Sequence, residues 1–181
     1  NFVQPVLDSL YPNAKEMGGE VTSQGIEVDI MTKSYKGFSL IAGYSFNETK
    51  YTKSNIYEVG SLLRYNPQHT ANASLYYAFS NKTLLKGLNL GVSVLYFGDR
   101  FAGRSTRYII NGKEVKNDSY KLMPVSAFTQ LDASIGYQFN NNISVRLRMT
   151  NVTDVLSYHV HDDNSVNPIA PRQFIGTVSY K

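Results

Sequence analysis

The sequence lacks cysteine, tryptophan and long apolar runs, and two of these absences exclude a class of site or structure. It contains no cysteine, so it has neither a disulfide framework nor a thiolate metal site. It contains no tryptophan, and only 18% of its 181 residues are charged. No run of 18 apolar residues occurs, which excludes a transmembrane helix.

The positive charge is too small and too local for a nucleic-acid-binding protein. The formal net charge is +4, and the basic residues concentrate in one segment instead of following a stripe along the chain. Nucleic-acid binding is therefore not predicted. The length is sufficient for one domain with a sizeable core.

Aromatic residues are abundant, and apolar and polar residues alternate along much of the chain. There are 14 Tyr and 9 Phe, which together with the many turn-forming residues favour strands over helices. Period-2 alternation predicts seven strands, most of them nine or ten residues long. They cover residues 26–31, 38–47, 70–79, 88–97, 130–139, 143–150 and 173–181.

The connections between these segments alternate in length. Short turns such as SYKG, SNKTLLKG and NNN are followed by linkers of about twenty residues or more at 47–69, 99–126 and 151–171. A soluble β-sandwich also has alternating strands. Long strands, alternating connections and aromatic residues at the ends of the apolar faces instead favour an antiparallel transmembrane β-barrel. These aromatic residues are Tyr44, Phe46, Tyr77, Phe79, Tyr96, Tyr137 and Phe139.

Seven strands do not make a complete bacterial barrel, because such barrels have an even number of strands. An open sheet would also leave two unpaired edges in lipid. The pattern therefore predicts part of a larger barrel, unless FVQPVL near the start of the chain supplies an eighth strand.

Six segments, in this order, carry a resemblance to a known family: SQGIEVDIMTKSYKGFSLIAGYSFNETKY, NPQHTANASLYYAF, LKGLNLGVSVLYFGDRFAG, FTQLDASIGYQF, NVTDVLSY and APRQFIGTVSYK. Together they resemble the C-terminal barrel portion of TonB-dependent outer-membrane receptors over residues 18–181. The resemblance implies the last third of a 22-stranded barrel with a plugged lumen. Residues 1–22 would be an extracellular loop or the end of a preceding strand, and residues 23–181 would belong to the barrel.

The resemblance also implies a function in the bacterial outer membrane. A receptor of this type imports a ferric siderophore or a similar scarce nutrient, which its extracellular loops and plug bind. Its partners would be the TonB–ExbB–ExbD complex, reached through the N-terminal region, together with membrane lipid and lipopolysaccharide. No resident cofactor is expected, because the ferric chelate is the transported ligand.

The long loops contain the candidate ligand-binding residues. In the loop around residues 100–125, YIINGKEV predicts a hairpin with a two-residue turn. Guanidinium groups bind carboxylates in a fork and aromatic rings can stack, which suits an anionic chelate. The alternative is a solvated hairpin that contacts lipopolysaccharide. The candidates are Arg100, Arg104, Arg107, Tyr108, Tyr120, His159 and His161.

The stretch HVHDDN carries imidazoles and carboxylates that suit transition metals, but its spacing in a loop is weak support and no direct metal site is predicted. Histidine and aspartate could also serve a hydrolase. No serine-based motif accompanies them, so the protein is not predicted to be an enzyme.

Charged residues on the polar faces of the strands are predicted to face the lumen, because an arginine facing lipid near the midplane costs about 2 to 4 kcal/mol. The resemblance implies contacts with the plug, and pairing across neighbouring strands is the alternative. These residues are Glu27, Asp29, Asp132, Arg146 and Arg148.

Two other functions remain open from the sequence. A complete eight-stranded barrel, with FVQPVL as its eighth strand, would be a structural or adhesive protein. A receptor-like barrel could also serve as a subunit of a larger outer-membrane complex.

Overall fold

The structure, a computed structural model, describes residues 1–6, 10, 14–80, 82–103, 106–110, 113–117, 122–161 and 165–180, with the backbone alone for 106–110 and 113–117. These residues form strands and no helix long or apolar enough to cross a membrane. The strands are β1 (Phe2–Pro5), β2 (Lys15–Met31), β3 (Phe38–Lys53), β4 (His69–Ala78), β5 (Leu88–Phe97), β6 (Arg100–Ala102), β7 (Thr106–Ile110), β8 (Lys113–Asn117), β9 (Met123–Val125), β10 (Phe128–Gln138), β11 (Ile143–Thr150), β12 (Tyr158–Val160), β13 (Val166–Pro168) and β14 (Gln173–Tyr180).

Eight of these strands form one antiparallel sheet in the order β1-β2-β3-β4-β5-β10-β11-β14. Short connections join its strands at one end, and long connections join them at the other. The long connections contain the two-stranded ribbons β6-β9, β7-β8 and β12-β13. Because the edge strands β1 and β14 do not pair within the described residues, the sheet is an open part of a barrel wall. The all-β, antiparallel prediction is confirmed.

The register of the sheet places the apolar residues of successive strands on one face. Directly paired residues of an antiparallel ladder lie on the same side of the sheet. One row across the sheet consists of Leu40, Leu75, Val92, Ala133, Met149 and Phe174. A neighbouring row on the opposite face consists of Ser39, Tyr76, Gly91, Ser134, Arg148 and Ile175.

Aromatic residues border the apolar face at both ends of the strands. At the end with short connections, the rings of Phe38 and Tyr77 are 4.4 Å apart, and those of Tyr77 and Phe79 are 4.8 Å apart. At the other end the Tyr44 hydroxyl lies 2.8 Å from Nδ1 of His69. Amphipathic rings at these two levels are typical of membrane interfaces.

The strands β2 and β3 are longer than the alternation predicts. They have 17 and 16 residues and pair from Glu20 and Lys53 to Met31 and Ile41. The halves of these strands nearer the long connections lack apolar alternation. Polar side chains join them instead, such as Gln24 Nε2 donating to Glu48 Oε2 at 3.3 Å. Alternation therefore detects only the segment whose two faces meet different environments.

The segment FVQP forms an eighth strand, so the count of seven is corrected to eight. Gln4 of β1 pairs with Glu16 near the start of β2. The strand has four residues, too few to cross a bilayer. Because β1 does not pair with β14 within the described residues, the structure does not form the closed eight-stranded barrel that the sequence left open.

The packed core lies at the end of the sheet with long connections. The buried apolar residues of the described chain are Tyr51, Ala102, Val125, Phe128 and Ile169. Away from the long connections, the apolar face of the sheet is largely exposed: Leu147 is 58% exposed and Val178 is 75% exposed. Apolar side chains are not packed between two layers there, as expected for a wall that faces lipid.

Replacing Leu147 by arginine tests the assignment of this face. We expect the free energy of unfolding of the full-length protein in phospholipid vesicles to fall by about 2 to 4 kcal/mol, because the charge enters hydrocarbon. The matched control is Ser45→Arg on the polar face, where the new guanidinium lies opposite Glu27 and little change is expected. Equal losses in urea unfolding would contradict the assignment.

Candidate functional site

Asp132 is the centre of a polar network on the face of the sheet opposite the apolar one, the inner face. Its Oδ2 lies 2.6 Å from NH2 of Arg148, and its Oδ1 accepts hydrogen bonds from Gln130 Nε2 at 3.0 Å and from the backbone N–H of Asn151 at 3.0 Å. Asp132 is buried, whereas the Arg148 side chain is half exposed. The pair connects adjacent strands, since Arg148 lies opposite Ser134 in β10.

The other predicted lumen residues share this face but are not joined to the Asp132 network. Glu27 and Asp29 lie opposite Ser45 and Gly43 and are exposed. Arg146 is also exposed and forms no ion pair with the described residues. A concavity of about 360 Å³ on this face includes Arg146, Arg148 and Asp132 in its lining. The inner wall is thus acidic along β2 and basic along β11.

Asn151 closes the base of the long connection between β11 and β14. Its Nδ2 donates to the carbonyls of Val155 at 3.0 Å and Ala170 at 3.1 Å, and its Oδ1 accepts from the N–H of Val155 at 2.9 Å. The residue is 1% exposed and has φ 50°, a conformation that asparagine tolerates better than most residues.

Asp154 completes this closure, which explains the motif NVTDVLSY in structural terms. Its Oδ1 accepts from the N–H of Arg172 at 2.9 Å, and Arg172 Nε donates to the carbonyl of Val152 at 3.1 Å. The two ends of the connection are therefore joined at two points, by Asn151 and by Asp154. These hydrogen bonds fix the positions at which the connection leaves β11 and enters β14.

Arg100, a predicted ligand-binding residue, is instead a structural residue. It is 4% exposed, and its guanidinium donates to the carbonyls of Gly98, Ser126 and Tyr158 and lies 5.2 Å from the ring centroid of Phe128. Burial lowers the pKa of the Arg100 guanidinium from its ordinary value, and the Asp99 carboxylate opposes the shift. The prediction is corrected because these protein contacts leave no exposed guanidinium for a ligand.

His159 lies at the end of the inner face that adjoins the long connections. It belongs to the ribbon β12-β13 and its ring stands edge-on to Phe97 at 6.1 Å and Phe128 at 6.3 Å. The two phenylalanine rings stack at 5.4 Å, and His159 is exposed. This arrangement, the His159 cluster, places an exposed imidazole over the partly exposed Phe97 and the buried Phe128.

The remaining predicted ligand residues are not brought together by the described structure. Arg104 and Tyr120 lie outside the described residues. Arg107 and Tyr108 are on β7, whose pairing with β8 confirms the predicted hairpin, and their side chains are not described. His161 is exposed, and Asp162 and Asp163 lie outside the described residues. Within the described part of the chain, no three His, Asp or Glu side chains gather as metal ligands.

A second cluster at the same end of the sheet was not predicted from the sequence. Tyr51 and Tyr57 stack with centroids 4.5 Å apart, and the Arg64 guanidinium lies 5.0 Å from the rings of both Tyr57 and Tyr65. Tyr65 has φ 73°, and its N–H donates to the carbonyl of Phe101 at 3.0 Å. The density of tyrosines in the 47–69 linker was the available sequence signal.

A double-mutant cycle measures the ion pair of the Asp132 network. For Asp132→Asn and Arg148→Gln we expect a coupling free energy of about 0.5 to 1 kcal/mol in urea unfolding of the full-length protein, because solvent screens the half-exposed arginine. Arg146→Gln with Asp132→Asn is the matched control, with coupling near zero. Equal coupling in both cycles would show that the pairing is not specific.

Comparison with known proteins identifies the fold family. The family model described as "TonB dependent receptor-like, beta-barrel" matches residues 1–152. The chain belongs to this family. It is a family of bacterial outer-membrane receptors and transporters, not of enzymes, and the resemblance noted from the sequence is confirmed.

Among relatives of this TonB-dependent receptor barrel, a ferrioxamine B receptor of Salmonella typhimurium is 28% identical over 169 residues, covering 90% of this chain and 22% of the relative. The metal-pseudopaline receptor CntO of Pseudomonas aeruginosa is 27% identical over 166 residues, covering 91% and 21%. The chain therefore spans about a fifth of the length of these relatives.

Solved structures share the fold of the chain. P. aeruginosa FpvA, in complex with a ferric heterologous pyoverdine, superposes with a TM-score of 0.76 at 19% identity, covering 99% of this chain and 23% of FpvA. The ferric-catecholate import receptor Fiu from E. coli gives a TM-score of 0.72 at 19% identity, covering 98% and 23%. The sheet thus corresponds to part of the wall of a plugged TonB-dependent barrel.

Proposed function

We propose that the full-length protein is a TonB-dependent receptor that imports a ferric siderophore or a related metal chelate across the outer membrane. The observation that carries the proposal is the His159 cluster at the mouth of the polar inner face, within a wall of this family. The exposed imidazole of His159 and the partly exposed ring of Phe97 offer contacts to a partly aromatic, anionic chelate, and the buried Phe128 supports them from behind. The names of the relatives, receptors for ferrioxamine B and for metal-pseudopaline, support this ligand class.

The ligand would contact the long connections. Of the residues predicted from the sequence, His159 and His161 are exposed there, and Arg104, Arg107, Tyr108 and Tyr120 remain predictions. Tyr57 and Arg64 are added to these candidates because they are partly exposed at the same end of the sheet, with Arg64 beside the Tyr57 ring and the buried Tyr51 stacked against it.

The inner wall would contact the plug. The acidic residues Glu27 and Asp29 and the basic residue Arg146 are exposed on it, so we propose complementary charges on the facing plug surfaces. Arg148 is less available because it is paired with Asp132. Release of the ligand would depend on the TonB–ExbB–ExbD complex, and the outer surface would contact lipid and lipopolysaccharide.

Uptake measurements in the native bacterium test the proposal. Deletion of the gene is expected to abolish the uptake of radioactive iron from at least one of ferrioxamine B, a ferric pyoverdine and a ferric catecholate. Restoring the full-length gene should restore this uptake, and inactivation of TonB should abolish it. Unchanged uptake of every chelate, together with no chelate binding by the purified receptor, would contradict the proposal.

Replacement of His159 by alanine tests the proposed mouth of the site. We expect the dissociation constant for the transported chelate to rise about tenfold, because a contact worth roughly 1.4 kcal/mol is lost. The matched control is His69→Ala, since His69 lies on the apolar face beside Phe46 and Tyr44. Equal effects of the two changes would show that the His159 cluster does not contact the ligand.

A further inference from the structure

The end of the sheet with short connections carries positive charge without carboxylates. The three short connections cover residues 32–37, 79–87 and 139–142. Their charged residues are Lys33, Lys36, Lys82 and Lys86, and none of the 14 acidic residues of the sequence lies in them. We call this set of lysines and connections the lysine rim.

The four lysines are available for a partner. All are exposed, and none forms an ion pair with the residues that the structure describes. Nζ of Lys36 lies 5.2 Å from the ring centroid of Tyr35, which is itself exposed. Uncompensated like charges on one surface repel each other and attract an anionic partner.

The connections form a continuous arc. The carbonyl of Gly37 accepts a hydrogen bond from the N–H of Ala78 at 2.9 Å, which joins the first connection to the end of β4, where the second connection begins. The carbonyl of Gly87 accepts from the N–H of Gln138 at 2.9 Å, which joins the second connection to the end of β10, where the third begins. The lysines of two connections therefore belong to one surface.

Apolar and aromatic side chains accompany these charges. Leu84 is fully exposed and Leu85 is 48% exposed, and both lie between Lys82 and Lys86. The ring of Tyr77 contacts those of Phe38 and Phe79 at the same end of the strands. A protein or peptidoglycan partner would account for the charge, but exposed leucines beside an aromatic band are typical of a lipid interface.

We propose that the lysine rim binds the anionic headgroups of phospholipids in the adjacent, periplasmic leaflet of the outer membrane. The ammonium groups contact headgroup phosphates, while Leu84 and Leu85 enter the interface. Lysines close to an anionic leaflet strengthen attachment additively and in a salt-dependent manner. Such binding is independent of the identity of the imported ligand.

Fluorescence anisotropy of labelled phosphatidylglycerol in mixed micelles of a neutral detergent measures this binding with the full-length receptor. Each of the double variants K33Q/K36Q and K82Q/K86Q is expected to raise the dissociation constant roughly 25-fold, about fivefold per lysine. The matched control K15Q/K53Q removes two exposed lysines from the opposite end of the sheet and should bind as the wild type does. The dissociation constant for labelled phosphatidylcholine should be the same for the wild type and all of these variants.

The variant K33R/K36R should retain phosphatidylglycerol binding, which shows that charge and not side-chain identity is required. Wild-type binding by both glutamine variants would overturn the proposal and leave an acidic macromolecule as the partner. Displacement of the labelled lipid by an equal concentration of glycerol phosphate would also overturn it, because the site would then recognise a free phosphate compound.

Discussion

Replacing Asn151 by alanine is expected to lower the free energy of unfolding by about 3 to 5 kcal/mol. The substitution removes three hydrogen bonds and leaves the carbonyls of Val155 and Ala170 and the N–H of Val155 without the Asn151 side chain. The site is 1% exposed, so water cannot readily replace these contacts. Alanine also tolerates the φ of 50° less well.

Urea unfolding of the full-length receptor in phospholipid vesicles measures this change. Asn151→Asp is a second informative variant, since it keeps the Oδ1 acceptor but replaces the two-fold donor by a carboxylate facing two carbonyls, and we expect a similar loss. The matched control is Asn141→Ala in the exposed turn between β10 and β11, with a change below about 0.5 kcal/mol. Comparable values for the two alanine variants would contradict the role of Asn151.

Replacing Arg100 by alanine is expected to release the ribbon β12-β13 from the wall. The guanidinium joins the carbonyls of Gly98 and Ser126, at 3.2 Å each, to Ser157 and Tyr158 on the far side of the loop. Hydrogen bonds to a charged group contribute about 1.5 to 3 kcal/mol each, so we expect a local loss of about 3 kcal/mol. The effect is local because these contacts join loops and not the strands of the sheet.

Amide hydrogen exchange of residues 157–160 and 166–169 measures this release, and a loss of about 3 kcal/mol corresponds to exchange faster by roughly two orders of magnitude. Arg100→Lys should recover part of the protection at most, because an ammonium lacks the planar fork and stacks less well on Phe128. The control Arg146→Ala removes an exposed arginine that forms no ion pair with the described residues, and it should leave this exchange unchanged. Unchanged exchange in Arg100→Ala would contradict the structural role of this residue.

The correction at Arg100 illustrates where sequence patterns stop. The loop after β5 is rich in basic residues, and composition alone predicts ligand binding equally for each of them. Arg100 differs from the others because Ser126 and Tyr158, 26 and 58 residues away along the chain, supply its acceptors. Convergence of distant backbone carbonyls on one side chain has no local sequence signature.

The upper half of β2 shows a second limit of a different kind. Residues 15–25 belong to the strand, and from Glu20 onward they pair with β3, yet they lack the alternation that marks the lower half. Alternation arises from the difference between lipid and lumen, and it disappears where both faces are polar. The strand extends beyond the predicted membrane segment because backbone hydrogen bonds with β3 stabilise it there, whatever the environment of its two faces.

For the site, the sequence placed Asp132, Arg146 and Arg148 on one face because side chains on a strand repeat every two residues. It did not show which arginine pairs with Asp132. That choice depends on the register of β10 against β11, in which Ser134 lies opposite Arg148. The stacking of Phe97 on Phe128 likewise required two strands that are adjacent in the sheet but separated by a long connection.

The sequence by itself determined the class of the fold, the two faces of each strand and the ends at which short and long connections lie, because these follow from local alternation and turn composition. The tertiary structure decided the eighth strand, the burial of Arg100, the pairing of Arg148 and the meeting of His159 with two phenylalanines. Each of these depends on contacts between residues distant in the chain, and such contacts are set by strand register and loop packing.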